Sequence, residues 1–154
     1  EDDGGRYRDP PLGMNPRTGE INDDALREMA ALLDQALRPG RDRDAFIGHF
    51  LSRFRLAHEP APQPHAPPVQ DQLDRVLAGD SLVLHPWGRL VWIADDNDTA
   101  LLFASGSAFT CSKRLATWLC SGAGNGLPQP LDDLDRGCLL GLLEAGHVLV
   151  ESAD

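Results

Sequence analysis

Residues 81–111, SLVLHPWGRLVWIADDNDTALLFASGSAFTC, decide the fold. Before residue 81 apolar side chains recur at helical spacing, and from residue 81 they follow the strand period. Residues 82–84, 89–94 and 100–104 are runs rich in Val, Leu, Ile and Trp, side chains that pack well on a pleated surface. Pro86-Trp87-Gly88 and the acidic Asp95-Asp96-Asn97-Asp98 separate them as turns. Gly106 permits a tight reversal into a further run at 108–111. The acidic turn resembles a calcium loop but lacks the required Gly and distal Glu, so it reads as a solvated hairpin.

Downstream, Ser112 is placed to cap a helix carrying Leu115, Trp118 and Leu119. Residues 121–130 are glycine-rich and read as a flexible loop. Gly122, Gly124 and Gly126 make no phosphate loop, because no Lys-Ser/Thr follows and no strand immediately precedes them. Asp132 or Asp133 starts a last helix with Leu134, Cys138, Leu139, Leu142 and Leu143 expected inward, and Ala145-Gly146 ends it. A closing strand follows over 147–151. The order β, β, β, α, α, β over residues 80–154 predicts a compact α+β unit of winged-helix character.

Upstream lies a helical region over 21–79. Asn22 is a good N-cap, Asp23 and Asp24 suit the positive end of the helix dipole, and Ile21 with Leu26 fits a hydrophobic staple. Leu26, Met29, Ala30, Leu33 and Leu37 form a 3.6-residue stripe that Pro39-Gly40 terminates. Asp42 is expected to cap a second helix over 44–54 with Phe46, Ile47, Phe50, Leu51 and Phe54 on one face. Two short helices do not cover such an aromatic ridge by themselves, so it must meet another domain or a second subunit. Residues 58–68 (HEPAPQPHAPP) form a stiff proline-rich spacer, which does not preorganise His58 and His65 for a metal. A third helix carries Val69, Leu73, Val76 and Leu77 on one face and stops at Gly79. Residues 1–20, with Pro10-Pro11 and Asn15-Pro16, read as an extended linker, and the absence of an initiator Met points to a chain that begins within a longer protein.

Composition narrows the function classes. Apolar residues make up 42% and charged residues 25%, the balance of a globular protein, and no apolar run is long enough to span a bilayer. The net charge is −10, and residues 80–154 carry 10 acidic against 4 basic side chains. That half repels a phosphate backbone and disfavours DNA binding. Cys111, Cys120 and Cys138 have no C-x-x-C or Cys/His ligand spacing and read as small buried hydrophobes in a reducing cytoplasm.

A search for chemistry finds no complete active site. None of the five histidines begins the H-x-D/E of an iron(II) oxygenase, and neither H-E-x-x-H nor G-x-S-x-G occurs. Asp95-Asp96 and Asp132-Asp133 sit at a turn and a helix start, where solvation and the dipole account for them. The residues therefore assign no catalytic, cofactor-binding or metal-binding position.

Arg6-Tyr7-Arg8-Asp9-Pro10-Pro11-Leu12, then Gly19-Glu20-Ile21 and the helix over 24–37, resemble a stretch of bacterial ribosomal oxygenases. These are JmjC/cupin-type enzymes that use Fe(II) and 2-oxoglutarate to hydroxylate an arginine of a large-subunit ribosomal protein. In that family an R-Y-x-D-P-x-L stretch lies just beyond the catalytic barrel, followed by a helical dimerisation region and a C-terminal winged-helix domain. The second helix, Leu101-Leu102-Phe103 with its Gly106 turn, and residues 139–150 fall where the family would place them. The family's iron-binding His-x-Asp, its distal His and its 2-oxoglutarate anchors have no counterpart here.

The resemblance implies a linker (1–20), a helical dimerisation region (21–79) and a winged-helix-like domain (80–154). It also implies a cytoplasmic parent dioxygenase acting on a ribosomal protein, with this segment non-catalytic, pairing subunits and supporting substrate binding. The expected dimer contacts are Leu26, Met29, Leu33, Phe46, Ile47, Phe50, Leu51 and Phe54. The alternative is a free-standing winged-helix regulator that binds protein or DNA. Against DNA stands the last helix, with Arg136 against Asp132, Asp133, Asp135 and Glu144.

Overall fold

The strand-period stretch folds into hairpins. The computed structural model describes residues 23–53, 58–95, 98–124 and 126–152. The elements run α1 (Asp23–Ala36), α2 (Arg41–Arg53), α3 (Val69–Ala78), β1 (Ser81–Leu84), β2 (Leu90–Ala94), β3 (Thr99–Ala104), β4 (Ser107–Ser112), α4 (Lys113–Cys120), α5 (Asp133–Glu144) and β5 (Val148–Glu151). The α+β class is the expected one. The expected order gains a strand, because residues 107–112 pair fully with β3 before α4 begins.

Two sheets result. β2, β3 and β4 form an antiparallel meander, while β1 pairs antiparallel with β5 and brings the end of the chain back to residue 81. Ser105 and Gly106 both have positive φ (46° and 86°) and join β3 to β4 in a two-residue loop. That geometry matches the right-handed twist of the flanking strands.

The core lies between the sheets and α3, α4 and α5. Leu73, Leu82, Leu102, Leu115, Leu119, Leu139 and Leu142 are all fully buried there. Along β3, Ala100, Leu102 and Ala104 point to this core with the period of a strand. Phe103, on the opposite face, is also fully buried, and the reason is α2, which covers it with Gly48 and His49.

The N-caps of α4 and α5 are as the sequence implies. The Ser112 hydroxyl accepts from Leu115 N at the start of α4, and Asp132, rather than Asp133, accepts from Asp135 N at the start of α5. Three expectations need correction. α2 begins at Arg41, directly after Gly40, so Asp42 is its second residue and not its cap. Leu134 does not point inward. It is exposed, and the buried stripe of α5 is Asp135, Cys138, Leu139, Leu142 and Leu143, with a carboxylate in the first slot. The 121–130 segment is no free loop. Gly124 exchanges two backbone hydrogen bonds with Leu82, and the Arg114 guanidinium donates to the carbonyls of Gln129 and Pro130.

The chain divides into two compact units between Arg43 and Asp44. α1 belongs to the first, and the rest of α2 together with the α+β core belongs to the second. Residues 1–22, with the linker, the Asn22 cap and the R-Y-x-D-P-x-L stretch, lie outside the described residues, as do Phe54 and Asp96-Asn97.

Candidate interaction face

α2 has two faces of opposite character. On one, Gly48 and Ser52 are buried and His49 is half-buried against the β3–β4 turn. The His49 Nδ1 lies 2.7 Å from the carbonyl oxygen of Gly106, which only accepts, so that nitrogen carries the proton. The Gly106 N–H donates to the Ser52 hydroxyl at 3.0 Å, and that hydroxyl donates to the His49 carbonyl at 3.1 Å. The helix thereby satisfies both backbone groups of the hairpin's tip residue. His49 also packs edge-on against Phe103, ring centroids 5.0 Å apart.

Gly48 makes the approach possible. A Cβ there would fall onto the Phe103 ring, which is fully buried. Gly48→Ala is expected to cost about 1–3 kcal/mol by overpacking. Denaturant unfolding of the full chain checks this, and a midpoint equal to wild type would show that α2 does not need the glycine.

The other face is apolar and open. Phe46, Ile47, Phe50 and Leu51 are 68%, 41%, 51% and 43% exposed, and Phe46 and Phe50 stack with centroids 6.4 Å apart. One helical turn separates Phe46 from Phe50 and Ile47 from Leu51, so the four side chains form one patch. In α1, Leu26, Met29 and Leu33 are exposed too, as are Leu32 and, just past the helix end, Leu37. Of the eight expected contact residues, seven are therefore at the surface, and Phe54 lies outside the described residues. The sequence reading missed the docked face, because Gly48, His49 and Ser52 carry no hydrophobic signal. A glycine and a serine four apart inside an otherwise good helix were the available clue.

No nucleophile emerges from the cysteines. Partial burial, with Cys111 nearby, pushes the Cys120 thiol up to about 11, and a hydrogen bond to Cys111 together with burial raises Cys138 strongly. Such thiols stay protonated and unreactive near neutral pH. Among the described residues no group of three or more His, Cys, Asp or Glu side chains could hold a metal ion. No helix among them is long and apolar enough to cross a membrane.

No protein-family model matches the sequence, and no curated protein matches it. Solved structures do. The crystal structure of the Escherichia coli ribosomal oxygenase YcfD superposes with a TM-score of 0.65 at 18% identity, over 96% of this chain and 41% of that one. A second structure of E. coli YcfD gives 0.63 at 19% identity, over 96% and 40%. A third, of YcfD in complex with cobalt and 2-oxoglutarate, gives 0.63 at 18%, over 97% and 41%. This chain, which spans about two fifths of the length of those proteins, has the fold of part of the ribosomal oxygenase YcfD.

Proposed function

We propose that this chain is the non-catalytic C-terminal region of a cytoplasmic 2-oxoglutarate- and Fe(II)-dependent ribosomal protein arginine hydroxylase. In this reading it pairs two subunits and helps shape the surface that receives the ribosomal protein. The observation that carries the reading is the extent of the fold likeness, nearly all of this chain on two fifths of a ribosomal oxygenase. The described residues do not fit an Fe(II)/2-oxoglutarate centre. His49 is committed to the Gly106 carbonyl, His147 is buried, and among the described residues no carboxylate joins two imidazoles. The iron and 2-oxoglutarate belong, on this proposal, to a catalytic domain elsewhere in the parent.

Support for pairing comes from the α2 patch. Fully burying one Phe, Ile or Leu side chain is worth roughly 1.5–3 kcal/mol, so four half-exposed ones represent a strong drive to find a cover. A second copy supplies an identical patch, and self-complementary contacts of this kind produce two-fold dimers. Phe50→Asp is expected to convert a dimer into a monomer, since each interface would then hold two unpaired carboxylates. The substitution lies on the face of α2 away from Phe103, so the 58–152 core stays folded. Light scattering coupled to size exclusion, with circular dichroism as the folding control, reads both effects. A wild-type chain that remains monomeric at high concentration ends the pairing proposal.

A further inference from the structure

The sequence offered no use for the histidines outside α2, yet the fold sets two of them, His58 and His85, against the exposed Trp87 and ties His85 to a third, the buried His147. His58 comes from the proline-rich segment, His85 from the β1–β2 turn and His147 from the α5–β5 junction. The rings of His58 and His85 lie 4.7 and 5.5 Å from the Trp87 ring, and the Trp87 N–H donates to His85 Nδ1 at 3.1 Å. The His85 N–H donates to the His147 carbonyl at 3.0 Å, which ties the turn to the junction. His147 is only 5% exposed, and its Nδ1 is buried with no hydrogen-bond partner. Phe109 meets its ring edge-on with centroids 6.1 Å apart.

The proline-rich segment closes over this junction. Pro60 is buried, and the backbone of Ala61 and Pro62 runs directly against Gly146, the residue before His147. Its side-chain ties include the tilted His58–Trp87 ring contact and the Arg53–Glu59 ion pair, beside the backbone contact at Gly146. The exposed ion pair adds little.

We propose that His147 is a proton-operated latch: taking up a proton at this buried imidazole unseats the segment 58–62 from the α5–β5 junction and loosens the link between α2 and the α+β core. An unpaired Nδ1 accommodates a lone pair in an apolar pocket, but a charged imidazolium there has no acceptor and must reach water. The cover that yields, on this proposal, is the proline-rich segment, whose Ala61–Pro62 backbone lies against Gly146, the residue before His147. The charge-bearing groups on the surrounding elements are His58 and Glu59 on the segment, His85 and Arg89 at the turn, Asp133, Asp135, Arg136 and Glu144 on α5, Asp71, Asp74 and Arg75 on α3, and Glu151 on β5. β4, which supplies Phe109, carries none. Burial, and after it the charge of His85, lowers the His147 pKa below its usual 6.5. The seated state therefore binds fewer protons than the open one, so seating is fully favoured above pH 6.5 and is lost progressively as pH falls below it.

The test uses the full chain with Ala61→Cys carrying a nitroxide and Cys120→Ser removing the exposed native thiol. The electron spin resonance line shape is expected to change from immobilised at pH 7.5 to mobile at pH 5.5, the open population growing by up to about tenfold per pH unit. Far-ultraviolet circular dichroism should stay constant over the same range. His147→Gln and His147→Phe should each abolish the transition, and His65→Gln, on an exposed histidine of the same segment, should leave it in place. A pH-independent line shape overturns the proposal. So does a transition that persists in both His147 variants, or one that coincides with loss of circular dichroism.

Discussion

Gly146→Ala is expected to be among the most damaging single substitutions in the chain. Gly146 has φ +71°, a left-handed conformation that costs an L-residue roughly 1–2 kcal/mol. The new methyl would also fall onto the backbone between Ala61 and Pro62. Backbone does not rotate aside as a side chain does, so either the proline-rich segment lifts or the α5–β5 junction shifts. A total cost of about 3–4 kcal/mol is expected, in the upper range for a point substitution. Gly126→Ala is the control, since Gly126 has a similar φ of +81° with nothing within 4 Å of the added carbon. It should lose only the conformational part. Chemical denaturation of the two variants measures the difference, and equal losses would mean that the segment does not press on Gly146. The line shape of a nitroxide at residue 61 in Gly146→Ala should be mobile at every pH.

The α+β core was legible because its signals are local and mutually consistent. The strand-period runs, Gly106 at the hairpin and the Ser112 and Asp132 caps each name their own structure, and each appears where the pattern places it. The outer face of α2 was legible for the same reason, as an apolar stripe at helical spacing. What the sequence hid depends on partners distant along the chain. Gly48 and Ser52 interrupt the helix-forming pattern, but nothing local says that they clamp a hairpin more than fifty residues away. Leu134 read as core because it is apolar, yet Asp135 took the inward slot because Ser112 offers two donors there. The histidine cluster was equally hidden, since its members are separated by 27 and 62 positions: the β1–β5 pairing brings His85 to His147, and His58 reaches Trp87 from the proline-rich segment.

Asp135→Ala is the second substitution expected to have a large effect. The carboxylate is 1% exposed, and it accepts from the Ser112 N–H at 2.7 Å and from the Ser112 hydroxyl at 2.9 Å. The same hydroxyl accepts from Leu115 N, so one side chain of α5 fixes the end of β4 and the cap of α4 together. Hydrogen bonds to a charged acceptor contribute about 1.5–3 kcal/mol each, and truncation leaves the Ser112 N–H without a partner. The expected loss is about 3 kcal/mol, which lowers the thermal midpoint of a domain this size by roughly 10 °C. Asp135→Asn keeps one acceptor for the N–H and lets the hydroxyl turn to accept from the amide, so its loss should be nearer 1 kcal/mol. Ser112→Ala removes the partner hydroxyl and the α4 cap. Combined with Asp135→Ala in a double-mutant cycle, it should show a coupling on the order of 1–2 kcal/mol. Calorimetry of the wild type, the three single variants and the double variant gives all of these values. If Asp135→Ala loses less than about 0.5 kcal/mol, or the two losses simply add, then the carboxylate is filling space and not joining the two helices.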